Sequence, residues 1–174
     1  YYDNEHPLDK DTIVTYSIAL SQDHKELVRA KNMGLTIKKY NELMGDVISQ
    51  FKSIGVSGTH GKTTTSSIVR HILEESVGCN YFIGAGDGYA SLDNDYFVVE
   101  SDEFNRHFTA YHPTYAIITN IEREHMECYK DIDDIKSAFR EFVLSVPDDG
   151  YVIVNSDSKN SMDVVEGLKC KVIT

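Results

Sequence analysis

Gly58-Thr59-His60-Gly61-Lys62-Thr63-Thr64 follows the apolar run Phe51-Lys52-Ser53-Ile54-Gly55-Val56 and precedes a helix-like run over 65–75. A strand, a glycine turn ending in Lys-Thr, and a helix together make a phosphate-cradling loop. The glycines let backbone amides approach an anion with no Cβ in the way. Lys62 is then placed to reach the outer phosphates of a nucleotide, and Thr63 to offer its hydroxyl to a magnesium ion. Gly58, Thr59, His60, Gly61 and Thr64 complete the candidate nucleotide cradle. The spacing is shorter than that of the usual Walker A loop, because Val56 stands where its first glycine would fall. The competing reading is a glycine-rich turn with an incidental lysine; the strand before it and the helix after it weigh against that.

Outward from this loop, apolar strands alternate with amphipathic helices. Before it, Thr12-Ile13-Val14-Thr15-Tyr16 reads as a strand, and Ser21 as the N-cap of a helix that Gly34 stops. Leu35-Thr36-Ile37 and the run 40–48 add a second strand and helix, after a polar opening of residues 1–11 read as loop. After the loop, Ile68, Val69, Ile72 and Leu73 form a helical apolar stripe, ended by Gly78. Asn80-Tyr81-Phe82-Ile83 leads into a second glycine-rich loop, Gly84 to Gly88, open to two readings: a place near a ligand or a plain turn.

Tyr96-Phe97-Val98-Val99 and Tyr115-Ala116-Ile117-Ile118-Thr119 have the continuous apolar character of buried parallel strands. A helix over 133–146, a strand Tyr151-Val152-Ile153-Val154, a short helix over 162–168 and a strand start at Lys171-Val172-Ile173 follow. The pattern predicts an α/β fold, a mostly parallel sheet with helices on both faces. Residues 1–48 have too few strands to close a core and read as the end of a preceding α/β domain, with 49–174 a central domain cut near its end. The chain starts Tyr-Tyr, without methionine, as expected of a piece of a longer protein.

Ligands of open parallel sheets sit at the carboxyl ends of the strands. There the sequence delivers the glycine loop, then Glu100-Ser101-Asp102-Glu103, then Asn120-Ile121-Glu122-Arg123-Glu124-His125. Carboxylates and an imidazole facing a bound triphosphate suit phosphoryl transfer, which is catalysed by positioning and by metal charge. Glu100 and His125 draw weight from their joint placement after the two most apolar strands; Asp102 and Glu103 are runners-up for the carboxylate role, and pattern alone does not rank them. Arg106 and His107 either contact an anionic substrate or balance the acidic cluster. His60 either reads a ligand or caps the turn.

The formal charge of −11 argues against nucleic acid as the main partner, so an anionic nucleotide must be held locally. The three cysteines, Cys79, Cys128 and Cys170, lack metal-knuckle or redox spacing and read as reduced thiols of a cytoplasmic protein. No apolar run approaches the roughly 20 residues of a membrane span, and nothing resembles a signal peptide.

Taken together, Gly58-Thr59-His60-Gly61-Lys62-Thr63-Thr64, Glu100-Ser101-Asp102-Glu103 and the run from Thr119 to Tyr129 resemble the Mur ligase superfamily, ATP-dependent amide-bond-forming enzymes of bacterial cell-wall synthesis. The resemblance extends to Val14-Thr15-Tyr16-Ser17-Ile18-Ala19, similar to the end of the family's UDP-binding domain. It implies a P-loop NTPase-like central domain that uses ATP and Mg2+. It carries Lys62 and Thr63 onto the phosphate loop, Glu100 and His125 onto the magnesium ligands, and Asn120 onto the Thr-Asn turn. The family often has Asp before the histidine, where this chain has Glu124. His60 resembles the branch that joins L-alanine to UDP-N-acetylmuramate through an acyl phosphate. Two other readings stay open: a sister ligase recycling murein tripeptide, and a nucleotide-binding module without ligase activity.

Overall fold

The computed structural model describes residues 7–84 and 86–174. Part of the opening loop predicted over 1–11, residues 1–6, and Ala85 of the second glycine loop lie outside the described residues. The chain divides into two compact units, up to Asp46 and from Val47 onward.

The first unit pairs β1 (Ile13–Tyr16) with β2 (Thr36–Lys39) in parallel, joined through helix α1 (Lys25–Asn32) and followed by α2 (Tyr40–Ile48). Leu27 and Ala30 of α1 and Leu35 before β2 are its buried apolar residues. The helix starts later than the Ser21 cap predicts. Ser21 bonds to Asp23 instead, and His24 is the N-cap, its Nδ1 accepting from the Glu26 amide at 3.3 Å. A short hydroxyl side chain close to an aspartate has a local partner and is lost to capping.

The second unit is one seven-stranded sheet in the order β5-β4-β6-β3-β7-β8-β9. Its strands are β3 (Lys52–Ser57), β4 (Asn80–Ile83), β5 (Asp87–Tyr89), β6 (Tyr96–Glu100), β7 (Tyr115–Ile118), β8 (Tyr151–Val154) and β9 (Lys171–Ile173). All pairs are parallel except β4 with β5, a hairpin edge. The most apolar strands, β6 and β7, flank β3 at the centre, and Val56, Val98, Val99 and Ala116 are fully buried there.

Alternation along β3 assigns the helices to the two faces. Ile54 and Val56 join Tyr81, Ile83 and Val98 in a cluster packed on Val69 and Leu73 of α3 (Lys62–Glu74). Gly55 points the other way, against α4 (Ile132–Leu144): a Cβ at Gly55 would stand 2.9 Å from Phe142 Cζ. Under α4, Phe108 stacks on Phe142 with ring centroids 4.9 Å apart and meets Phe139 edge-on at 5.0 Å. Helix α5 (Lys159–Val165) packs beside α4 and starts three residues before the predicted 162, because the Ser158 hydroxyl caps it by accepting from the Ser161 amide. The stripe predicted for α3 is half buried: Val69 and Leu73 face the sheet, while Ile68 and Ile72 are more than half exposed. Ile72 borders an apolar groove with Tyr115, Tyr151, Ile153 and Ile173.

Among the described residues no helix is long and apolar enough to cross a membrane. Cys79, Cys128 and Cys170 are free thiols, and burial pushes the pKa of Cys79 and Cys170 up.

Phe142 is the hinge of the α4 face. Phe142→Ala is expected to lower unfolding free energy by about 3–5 kcal/mol, read from urea denaturation. Leu144→Ala, two residues on and 57% exposed, should stay within about 0.5 kcal/mol of the parent.

Candidate active site

Strand β3 ends at Ser57, and the chain turns through Gly58 at φ 141° and Gly61 at φ 82° before α3 begins. Both angles lie in the region that favours glycine. The first amides of a helix have no intrahelical acceptor, and Gly61, as N-cap, supplies no side chain to satisfy them. The capping alternative for His60 is therefore not seen: its ring is exposed and lies 4.0 Å from Glu122. An uncapped, positively polarised helix start is suited to an anion.

The loop is held from the side by the residues after β7. Thr59 N donates to Asn120 O at 3.0 Å, and the Glu122 amide donates to Thr59 Oγ1 at 2.9 Å. Asn120 embraces His60 twice: its Oδ1 accepts from the His60 amide and its Nδ2 donates to the His60 carbonyl, both at 3.0 Å. Thr119 Oγ1 donates to the same carbonyl at 2.6 Å. Asn120, a candidate from the sequence, thus acts on the shape of the loop.

Lys62 and Thr63 open α3 and meet the carboxylates that β6 delivers. Thr63 Oγ1 donates to Glu100 Oε1 at 3.2 Å, and the other Glu100 oxygen accepts from the Gly84 amide at 2.9 Å. The second glycine loop therefore touches the site through Gly84, while its remainder turns into the β5 hairpin. Lys62 Nζ lies 3.0 Å from each oxygen of Glu103, with a well-formed hydrogen bond to Oε1. Glu103 is only 2% exposed, and its Oε2 is buried without a hydrogen bond of its own. Burial raises its pKa, and the Lys62 charge works against that rise.

His125 also approaches Glu103, Nε2 to Oε1 3.8 Å, with Nδ1 3.5 Å from Glu127. Its backbone is left-handed, φ 54°, an uncommon state for a non-glycine residue. The turn is kept by the Cys128 and Tyr129 amides, which both donate to the His125 carbonyl, and the ring packs edge-on against Phe104 at 5.2 Å. Tyr129 is buried, its hydroxyl donating to the Glu103 carbonyl, and burial pushes its pKa up to about 12.

Asp102, Glu103 and His125 can each place one donor atom within 4.8 Å of the others. Carboxylate and hydroxyl oxygens suit magnesium, and the buried, unbonded Glu103 Oε2 is the kind of atom a cation would satisfy. The residues present fit a divalent ion. Of the two runners-up that pattern could not rank, Glu103 is the one that contacts both Lys62 and His125. Arg106 does not balance Asp102 and Glu103: its guanidinium pairs with Asp134 and Glu141 of α4, at 2.5 and 3.4 Å.

The family described as Mur ligase middle domain matches residues 56–174. The chain belongs to the Mur ligase family. A UDP-N-acetylmuramate–L-alanine ligase of Lactiplantibacillus plantarum is 41% identical over 146 residues, 84% of this chain and 34% of that protein. Its counterpart from Caldicellulosiruptor bescii is 38% identical over 94% of this chain and 37% of that protein. The chain thus spans about a third of the length of the curated relatives it matches. Among solved structures, UDP-N-acetylmuramate-alanine ligase from Thermotoga maritima covers 94% of this chain with a TM-score of 0.79 at 24% identity, over 39% of its own chain. The UDP-N-acetylmuramate:L-alanyl-gamma-D-glutamyl-meso-diaminopimelate ligase of Neisseria meningitides also scores 0.79, at 23% identity over 92% of this chain and 57% of its own. These structural likenesses establish the fold: a mostly parallel sheet with a glycine-rich loop after its central strand.

The Asn120 clamp has a local readout. Asn120→Ala removes both bonds to His60 and is expected to cost about 1–3 kcal/mol of stability in denaturant titration. Hydrogen exchange at the His60 amide should quicken with it.

Proposed function

We propose that this chain carries the ATP-binding centre of a ligase that joins L-alanine to UDP-N-acetylmuramate in peptidoglycan synthesis, acting in the cytoplasm on small-molecule substrates. The observation that carries the proposal is the meeting of Lys62 and Thr63, at the start of α3, with Glu103 and Glu100. Relatives 36–45% identical bear the name of that alanine ligase, which supports this substrate pair over the tripeptide one. The fold does not separate the two, since both kinds of ligase match with a TM-score of 0.79.

In this reading residues 1–48 close a UDP-binding domain, and 49–174 bind the nucleotide. The amides of Gly61, Lys62, Thr63 and Thr64 face the phosphates, and the Lys62 ammonium neutralises charge on the phosphoryl group in transfer. Gly58 and Thr59 shape the loop and His60 flanks it, with Asn120 holding its backbone. By the family resemblance Thr63, Glu100 and His125 would hold magnesium, while the donors that lie within 4.8 Å of one another are those of Asp102, Glu103 and His125. Bound magnesium supplies positive charge that screens the repulsion between a carboxylate and a triphosphate. The muramyl carboxylate oxygen attacks the γ-phosphorus and ADP leaves, giving an acyl phosphate. The alanine amine attacks the acyl carbon, losing a proton, and inorganic phosphate leaves with the C–O bond electrons. No protein nucleophile takes part.

In the full-length protein, Lys62→Ala and His125→Ala are each expected to reduce ligation at least about 1,000-fold, the scale lost when a main charge-stabilising group is removed. Phosphate release with UDP-N-acetylmuramate, L-alanine and ATP is the assay. Parent-like release from the His125 variant would overturn its metal role. ATP binding that is indifferent to a muramyl carboxylate, with no amide product, would favour the nucleotide-binding module.

A further inference from the structure

A phosphate-loop lysine is useful only when its ammonium is free to meet phosphate. Here all the donors of Lys62 have protein acceptors. Nζ donates to the Gly58 carbonyl at 2.7 Å, reaches the Thr59 carbonyl at 3.4 Å and bonds Glu103 at 3.0 Å. An ammonium has three donors and no more. Two of these acceptors belong to the loop itself, so the lysine is folded back into the turn it serves. Glu103 is the charged acceptor, and it is fixed: its side chain is 3% exposed, and the Tyr129 hydroxyl holds its backbone carbonyl. The Lys62 side chain retains 16% exposure, so it can leave while Glu103 cannot follow.

We propose that Glu103 is a positioning residue that holds Lys62 inside the loop when no nucleotide is bound, so that nucleotide must take the ammonium from this carboxylate and the pair sets nucleotide affinity. The proposal rests on the reading of the loop as the ATP site. Nucleotide binding here is an exchange: phosphate oxygens replace a carboxylate as the partner of Lys62. The free energy of the old pair is subtracted from that of the new one. The displaced carboxylate is left facing Asp102 and His125, where a cation can take the ammonium's place. A purely structural counter-ion makes the opposite demand, since its removal disorders Lys62 and weakens binding.

The test uses the full-length protein, with ATP titrated calorimetrically to millimolar concentration in EDTA at constant ionic strength. Glu103→Gln is expected to tighten ATP binding about tenfold, the equivalent of about 1.4 kcal/mol. Asp149→Asn removes the same charge at an exposed position just before β8, at the end of the sheet away from the site, and should change affinity less than about twofold. In a Lys62→Ala background, Glu103→Gln should also change affinity less than about twofold, because Glu103 acts through Lys62. Unchanged or weaker binding by Glu103→Gln overturns the proposal, and so does equal tightening in the Lys62→Ala background. Should Glu103→Gln fail to fold by circular dichroism, Glu103→Asp replaces it. That variant keeps the charge but withdraws the carboxylate by one methylene, and must tighten binding at least about threefold, or the proposal fails. A parent protein that binds no ATP defeats the nucleotide reading itself; a parent that binds, with variants that do not tighten, defeats the latch alone.

Discussion

The phosphate loop and the end of β7 lie closer than two ordinary residues can. A Cβ on Gly58 would stand 2.0 Å from Thr119 Oγ1 and 3.0 Å from the Asn120 carbonyl. Because Gly58 has none, Thr59 and His60 can share hydrogen bonds with residues 119–122. The loop's shape is thus borrowed from the neighbouring strand rather than built from its own residues. β3 and β7 are paired in register up to Ser57 and Ile118, so the loop and the strand end leave the sheet at one level. Everything chemical in the site follows from that: the start of α3 is aimed across β6, and the turn carrying His125 begins where the clamp ends.

Ionic groups are layered by depth around that clamp. Glu100 is half-buried and holds a hydroxyl and an amide. Glu103 is buried and holds an ammonium, in a setting that disfavours its charge on burial alone. A buried carboxylate without a cation is costly, and the pair with Lys62 offsets that cost. The same carboxylate also faces an imidazole, that of His125. A protein with a net charge of −11 thereby builds a local centre in which positive side chains have fixed places to stand.

Much of this was legible in the sequence, and what was not has physical reasons. The strand, loop and helix from Lys52 to Glu74 were readable because apolar run, glycine punctuation and helical stripe agree. β5 was missed: three exposed residues, Asp87–Tyr89, carry no apolar alternation, and the strand exists because β4 offers it an edge. The start of α5 was hidden in a polar run whose Ser158 is a cap only once Ser161 lies beneath it. Glu100 was found as the last residue of an apolar strand. Glu103 carries no such mark, because its importance comes from the 41 positions of chain that separate it from Lys62. The left-handed turns at Asn105, Arg106 and His125 likewise have no glycine to announce them.

Arg106 ties the site to α4, on the sheet face opposite α3. Its amide donates to the Glu103 carbonyl at 3.0 Å, and its guanidinium reaches Asp134, Ser137 and Glu141 on α4. It acts as a strut, anchored by charge at one end and by backbone at the other. Disturbance of the outer surface of α4 therefore has a short mechanical route to the carboxylate beside Lys62. Screening by salt, which weakens half-exposed ion pairs first, would slacken that strut before it touched the buried pair. The sensitivity of the site to its medium is thereby set on the helix that covers the other face of the sheet.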